Sequence, residues 1–205
     1  MKLPQIVLSG AIALCLGLSA QATVYTFAAD LTGAAEAPPN SSTATGNTVV
    51  VFDDILHTLT VDIVFAGLSA GTTAAHIHAA GVLSATLTAG VATTTPNFVG
   101  FPTGVMSGNF NDVLDLTLAG SYNPTFIATN GGTTAAAEAA LLLFMQMGNS
   151  YVNVHTSAFP GGEIRGFLVQ APNDPTVPDT ATTAFLFSFA LGVMGLLARR
   201  SRVTA

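Results

Sequence analysis

The sequence predicts a mainly β protein, an antiparallel β-sandwich of Greek-key type that carries one short helix. Two observations support this fold class. Short runs of alternating apolar and polar residues fill most of the region 23–170, and glycine, proline and asparagine separate the runs. The same region contains no cysteine, so its stability must come from a hydrophobic core, and about 150 residues are enough to build one.

The alternating runs place eight candidate strands along the chain. In order, they lie near residues 25–31, 48–53, 58–66, 74–80, 105–110, 114–118, 151–156 and 163–169. Asp53 and Asp54 form a turn signal between the second and third runs, which alternate most regularly. These two strands are therefore predicted to form an antiparallel hairpin.

Two stretches interrupt the strand pattern. Residues 81–104 are rich in glycine, threonine and proline, so we predict a loop there, with one irregular strand near Val82–Leu87. Good helix formers run from Thr134, a candidate cap, to Met147, and Gly148 follows them. This run predicts the helix. We expect its leucine and methionine side chains to cover an end or edge of the sandwich; a cofactor-binding surface is the alternative.

The first 22 residues have the order of a secretory signal peptide. A positively charged start precedes an apolar run at residues 6–18, and small residues follow it, including Ala20 and Ala22. The predicted cleavage site follows Ala22. An uncleaved membrane anchor is the alternative, but the run is shorter than the roughly 18 apolar residues that indicate a membrane span.

Residues 171–176 form a predicted linker to a second targeting segment at residues 177–205. This segment combines a short motif (Val177, Pro178, Asp179), an apolar run at 184–198 and a basic end (Arg199, Arg200, Arg202). The layout resembles the PEP-CTERM and VPDSG-type sorting signals of Gram-negative bacteria. The resemblance implies temporary anchoring in the inner membrane, cleavage by a sorting protease, and release to the cell envelope or extracellular matrix. Exopolysaccharide and surface proteins are the candidate partners there.

The region between the two targeting segments is strongly acidic. From Thr23 to Thr176 the chain has ten acidic residues and one cation, Arg165, which gives a net charge of −9 with neutral histidines. Nucleic-acid binding depends on clusters of lysine and arginine, and an acidic surface repels phosphates. The composition therefore excludes nucleic acid as a partner.

Three of the four histidines lie in two compact motifs. The first is AAHIH at residues 74–78; the second is YVNVHT at residues 151–156, and GGEIRG follows it at residues 161–166. Together with Leu31-Thr32-Gly33 near the start, these motifs resemble the CHRD domain over about residues 25–170. The resemblance implies an extracellular β domain with no established catalytic activity. We therefore predict a non-enzymatic binding or structural module.

Strand alternation divides the residues of these motifs between two faces. Side chains two positions apart in a strand point to the same side. Ile77, Val152, Val154 and Ile164 are therefore predicted to face the core. If their strands are neighbours, the opposite face collects six polar residues: His76, His78, Asn153, His155, Glu163 and Arg165.

This polar face has two interpretations. In the first, the three imidazoles bind Zn or Cu and Glu163 or another acid completes the site; metal-dependent redox activity is the enzymatic form of this alternative. In the second, Asn153, Glu163 and Arg165 form a structural polar network, and the histidines bond to backbone and hydroxyl groups. The fourth histidine, His57, follows the turn at Asp53 and is expected on the surface.

Overall fold

The computed structural model describes residues 23–84 and 86–172. The predicted signal peptide, 1–22, lies outside the described residues, together with its cleavage residues Ala20 and Ala22. The predicted sorting segment, 177–205, lies outside them as well, with Val177, Pro178, Asp179, Arg199, Arg200 and Arg202. Within the described part of the chain, no helix has the length and apolar character that a membrane crossing requires.

The described chain forms one antiparallel sheet of eight strands. The strands are β1 (Val24–Thr32), β2 (Thr45–Asp53), β3 (Thr58–Ala66), β4 (Thr72–Ala79), β5 (Gly108–Asp115), β6 (Ser150–Thr156), β7 (Ile164–Phe167) and β8 (Val169–Gln170). Hydrogen bonding gives the order β4-β6-β7-β1-β2-β3-β5, and β8 also pairs with β1. The predicted mainly β, antiparallel fold class is confirmed, and the strands form one continuous hydrogen-bonded sheet.

The β2–β3 hairpin shows how alternation defines the core. In β3 the buried side chains are Leu59, Val61, Ile63 and Phe65, and the residues between them are more exposed. The Asp53 carboxylate accepts hydrogen bonds from the N–H groups of Ile55 (2.9 Å) and Leu56 (2.8 Å), which closes the turn. The predicted hairpin is confirmed, and it pairs β2 with β3 along the whole of both strands.

The sheet curls, so that both of its edge strands contribute to one hydrophobic core. Ile77 of β4 and Val152 of β6 belong to the same buried cluster as Phe110 of β5. The chain that leads from β4 to β5 closes the gap between these edges. Phe98 donates its N–H to the carbonyl of Ala75 and stacks on Phe110, with ring centroids 5.4 Å apart.

The two strands predicted at 105–110 and 114–118 are one strand, β5. Asn111 and Asp112 interrupt the apolar pattern, but both residues pair in register with β3. The Asn111 amide also donates to the carboxylate of Asp62 at 2.9 Å. β5 therefore continues through the position at which hydrophobic periodicity predicted a break, and a hydrogen bond between side chains joins it to β3 there.

The loop that follows β4 differs from its prediction in one respect. Among its described residues, no strand forms at 82–87. The loop instead pairs with its surroundings further along, where Val91 forms a bridge with His78 and Thr93 forms a bridge with Tyr122. A cluster of hydroxyl groups occupies the turn before these bridges: Ser84 Oγ lies 2.6 Å from Thr88 Oγ1.

The predicted helix is present as α2, and a shorter helix, α1 (Pro124–Thr129), precedes it. α2 spans Thr134–Gln146, and its cap is Thr133, not the predicted Thr134; Thr133 Oγ1 accepts from Ala136 N at 3.2 Å. It packs against β4, β8 and α1, so it covers part of the sheet as predicted. The prediction missed α1, although Asn123 provides a capping side chain and Pro124 occupies the first turn.

Candidate metal centre

Three histidines converge on the face of β4 and β6 that points away from the core. β4 and β6 are antiparallel neighbours, and their register places His76 opposite Asn153 and Ala74 opposite His155. The ring centroids of His76 and His155 are 5.3 Å apart, those of His76 and His78 are 5.8 Å apart, and those of His78 and His155 are 6.1 Å apart. The convergence that strand alternation predicted is therefore present.

Each of the three imidazoles uses one ring nitrogen in a hydrogen bond to a backbone carbonyl. The bonds join His76 Nε2 to Pro96 O (2.7 Å), His78 Nδ1 to Ala89 O (2.9 Å), and His155 Nδ1 to Pro160 O (2.9 Å). A carbonyl oxygen only accepts, so each of these nitrogens must carry the proton. In a neutral imidazole the second nitrogen then holds a lone pair.

The second nitrogens have no hydrogen-bond partner. His76 Nδ1, His78 Nε2 and His155 Nε2 are all buried and unpaired. One nitrogen from each of these residues lies within 4.8 Å of the others, which makes the three histidines a group able to hold a metal ion. An unsatisfied buried polar atom costs about 1–3 kcal/mol, so three in one place are a considerable free-energy cost in the absence of a ligand.

Burial keeps these imidazoles neutral. Removal from water lowers the pKa of His76, of His155 and, most strongly, of His78, whose pKa falls to about 4. The hydrogen bonds to backbone carbonyls oppose this shift but do not reverse it. At neutral pH the three rings are therefore unprotonated, which is the state that a metal ion requires.

The loop between β4 and β5 covers the histidines and is attached to the free edge of β4. Thr93 Oγ1 accepts from Ile77 N at 3.0 Å, and Asn97 Oδ1 accepts from Ala75 N at 2.8 Å. β4 is an edge strand, so these two side chains accept the backbone hydrogen bonds that a neighbouring strand would otherwise accept. The attachment places the carbonyls of Pro96 and Ala89 against the rings, and it explains why β6 is buried on both faces.

Tyr151 fixes the orientation of His78. Their rings stack with centroids 4.7 Å apart and planes 7° apart. The tyrosine hydroxyl lies 3.2 Å from the nitrogen and 3.3 Å from the oxygen of Ala89, the residue whose carbonyl also accepts from His78. The sequence motifs indicated no role for Tyr151, although its position opposite His78 follows from the register of the two strands.

Glu163 lies apart from the histidines, which corrects its predicted place as a further metal ligand. Its carboxylate accepts hydrogen bonds, each 2.7 Å long, from Ser42 Oγ, Ser69 N and Thr156 Oγ1. Burial would raise the pKa of Glu163, but these bonds together lower it. Strand alternation does not extend to this residue, because β7 begins at Ile164 and Gly162 has a φ of 129°.

Arg165 and Asn153 lie on the same face as the histidines, as predicted. The Arg165 guanidinium donates to the carbonyls of Ala35 and Leu87, the latter at 3.1 Å. It also lies over the rings of Tyr151 and Phe167, at 4.8 and 5.3 Å from their centroids. The cation is thus held rigidly beside the histidine cluster, and only 3% of its surface is exposed.

Glu36 forms an ion pair with Arg165 and is a site residue that the sequence did not predict. Its carboxylate lies 3.9 Å from the guanidinium. Burial raises the pKa of Glu36 to about 7, although the positive charge of Arg165 opposes the shift. A Cβ added at Gly162 would clash with both the Asn153 amide and the Glu36 carboxylate, so these two groups meet on the β7 side of the polar face.

His57 is separate from the cluster and forms an ion pair with α2. Its Nδ1 lies 2.9 Å from Glu138 Oε1, and 49% of the histidine side chain is exposed. The hydrogen bond and the charge of Glu138 raise the pKa of His57. The predicted surface position is confirmed, and the pair links the β2–β3 turn to the helix.

Comparison with known proteins agrees with this architecture. The CHRD domain family matches residues 27–168, a range that includes most of β1 and the whole of β2 to β7 but not β8. No match was found among curated proteins or among solved structures.

Proposed function

We propose that this chain, which belongs to the CHRD domain family, is an exported, non-enzymatic protein that binds one copper or zinc ion. The ligands are His76, His78 and His155. One observation carries this proposal: each of three buried, neutral imidazoles keeps one nitrogen unpaired, and the three residues offer ligand nitrogens within 4.8 Å of one another. Imidazole nitrogen is a preferred ligand of both metals.

A purely structural polar network accounts for only half of the ring nitrogens. The backbone carbonyls of Pro96, Ala89 and Pro160 satisfy one nitrogen of each ring. They also fix the tautomer and the ring orientation, as outer hydrogen bonds do in metal sites. One nitrogen of each ring lies within 4.8 Å of the others, and a metal site requires roughly 3–4 Å between ligand nitrogens, a difference that small rotations of the side chains can close.

Thermal unfolding of the purified protein with added Zn²⁺ or Cu²⁺ tests this proposal. A ligand that binds only the folded state at about 100 times its Kd stabilises that state by about 2.7 kcal/mol, so the melting temperature should rise. The double variant His76→Ala, His78→Ala should show no such rise. His57→Ala is the matched control, because it removes a histidine outside the cluster and should respond like the wild type. No rise with zinc or with copper in either oxidation state, Cu(I) being added under anaerobic conditions, would refute the proposed function.

Export is the second part of the proposal, and it is supported by the two predicted targeting segments. We propose transient anchoring in the inner membrane, cleavage by a sorting protease, and a final location in the cell envelope or extracellular matrix. The acidic, cysteine-free domain would there contact exopolysaccharide or surface proteins. The intact mass of the protein from the extracellular fraction of its host tests this part: a full-length chain from Met1 to Ala205 would contradict it.

A further inference from the structure

We propose that the ion bound by His76, His78 and His155 is monovalent copper, and that the site selects Cu(I) over Zn(II) and Cu(II). The inference deepens the proposed function and depends on it. It is based on three properties of the cluster: its charge, its number of donors and its closure from water.

The donor set carries no negative charge. Among the described residues, the group able to hold a metal consists of the three histidines alone, without a carboxylate. Glu163 is occupied by its own hydrogen bonds, and Glu36 faces Arg165. Because the cost of transferring an ion out of water rises with the square of its charge, a divalent ion pays roughly four times as much as a monovalent one. Three neutral imidazoles offer no charge to offset that difference.

Arg165 increases the preference of the site for a monovalent ion over a divalent one. Its guanidinium lies 4.8 Å from the centroid of the Tyr151 ring, and that ring stacks directly on His78, so the cluster experiences the positive field of the guanidinium. Register places Arg165 opposite Asn153, which is in turn opposite His76, so two strand spacings, about 10 Å, separate the backbones of the arginine and the histidine. At this distance a second unit of positive charge weakens binding by about tenfold.

The number of donors also favours Cu(I). Zn²⁺ in proteins is almost always four-coordinate, and Cu²⁺ prefers tetragonal sites with additional nitrogen or oxygen ligands. The unpaired nitrogens here are buried beneath the loop that carries Pro96 and Ala89, which leaves little access for a water or an anion. Cu(I) accepts three ligands without a fourth.

Two further oxygen donors lie on this face. The Tyr151 hydroxyl bonds to the backbone of Ala89, and the Asn153 amide lies against Gly162 and the Glu36 carboxylate. Amide oxygen is also not among the usual ligands of zinc. A fourth protein ligand is therefore not expected.

Competition under anaerobic conditions tests the inference. The full-length purified protein is titrated with Cu(I) against the chromophoric chelator bicinchoninate, and Zn²⁺ is then added in large molar excess. We expect one equivalent of Cu(I) to bind and to resist displacement by Zn²⁺. The double variant His76→Ala, His78→Ala should lose this equivalent, which excludes binding at exposed methionines such as Met106.

A pair of variants separates charge from packing. Arg165→Gln removes the cation and should improve the affinity for Zn²⁺ relative to Cu(I) by about tenfold. Arg165→Lys retains the charge and should keep the ratio of the wild type. If neither variant folds, the wild-type competition decides the matter alone. Displacement of Cu(I) by Zn²⁺, or binding of Zn²⁺ with equal affinity, overturns the inference and leaves the proposed function intact; binding of neither metal overturns both.

Discussion

Two buried polar clusters lie at the same end of β6, and they differ in how completely their hydrogen bonds are satisfied. Thr156 faces the Glu163 cluster, and the adjacent His155 faces the histidine cluster. Both oxygens of the Glu163 carboxylate accept hydrogen bonds from Ser42, Ser69 or Thr156. In the histidine cluster one nitrogen of each ring has no partner.

This difference separates a structural role from a binding role. Buried polar groups in folded proteins are paired as a rule, because an unpaired group keeps its full desolvation cost. The Glu163 cluster obeys the rule and is complete without a ligand. The histidine cluster violates it three times at one point, and a single cation would satisfy all three lone pairs. The comparison therefore predicts opposite responses of the two clusters to mutation and to metal.

The largest expected effect is the loss of stability in Glu163→Ala. The substitution leaves donors of Ser42, Ser69 and Thr156 without their acceptor, and we expect a cost of about 3 kcal/mol or more in the free energy of unfolding. In metal-free protein, His155→Ala should cost only about 1 kcal/mol, since it breaks one hydrogen bond and also removes an unpaired nitrogen. Urea denaturation measures both values. Equal losses would show that the two clusters do not differ as described.

The pH dependence of stability sharpens the comparison, because Glu36 and His78 have opposite slopes. The pKa of His78 falls to about 4 in the folded state, so its contribution is present above its usual value of 6.5 and is lost as the pH falls towards 4. The pKa of Glu36 rises from 4.5 to about 7, so its folded state binds more protons and stability falls as the pH rises through this range. The two opposite slopes partly cancel, so the stability of the wild type depends less on pH than either group alone would predict.

Glu36→Gln should remove the Glu36 slope and reveal that of His78. Glutamine resembles the protonated carboxyl group, so the variant should match the wild type below pH 4.5 and exceed it above pH 7, by on the order of 3 kcal/mol at most. Chemical denaturation of metal-free protein at pH 4, 6 and 8 measures the difference. A variant that is less stable than the wild type at pH 8 would contradict the assignment of Glu36 as a carboxyl group that burial keeps protonated.

Hydrophobic alternation was sufficient to predict most of the sheet and the convergence of the three histidines. His76 and His78 share a face because they are two positions apart, and His155 joins them because its strand is the neighbour of β4. The same rule failed at Glu163, where Gly162 turns the chain before β7 begins. Side chains alternate between the two faces only inside a strand. A pair of glycines just before a strand indicates where this alternation stops being a reliable guide.

The electrostatic features of the site depend on contacts between distant parts of the chain. The partners of the ring nitrogens are backbone carbonyls in the loop at Ala89 and Pro96 and in the turn at Pro160, and no side-chain pattern identifies a carbonyl as a partner. Glu36 meets Arg165 across the pairing of β1 with β7, far away in sequence. Residue types therefore predicted which groups meet, and only the fold shows which of their atoms remain unpaired.

The smallest expected effect is that of His57→Ala, which tests a polar pair that is neither buried nor incomplete. The pKa of His57 is raised by Glu138, so the pair stabilises the folded state below the usual histidine pKa of 6.5, and this contribution disappears as the pH rises through the folded value. Half of the His57 side chain is exposed, so water screens the pair and the effect should be small. Melting temperatures of wild type and variant should therefore differ slightly at pH 5.5 and coincide at pH 9, while both proteins keep the same response to added metal. An equal difference at both pH values would assign the effect to the strained backbone of His57, which has a φ of 53°, and not to its charge.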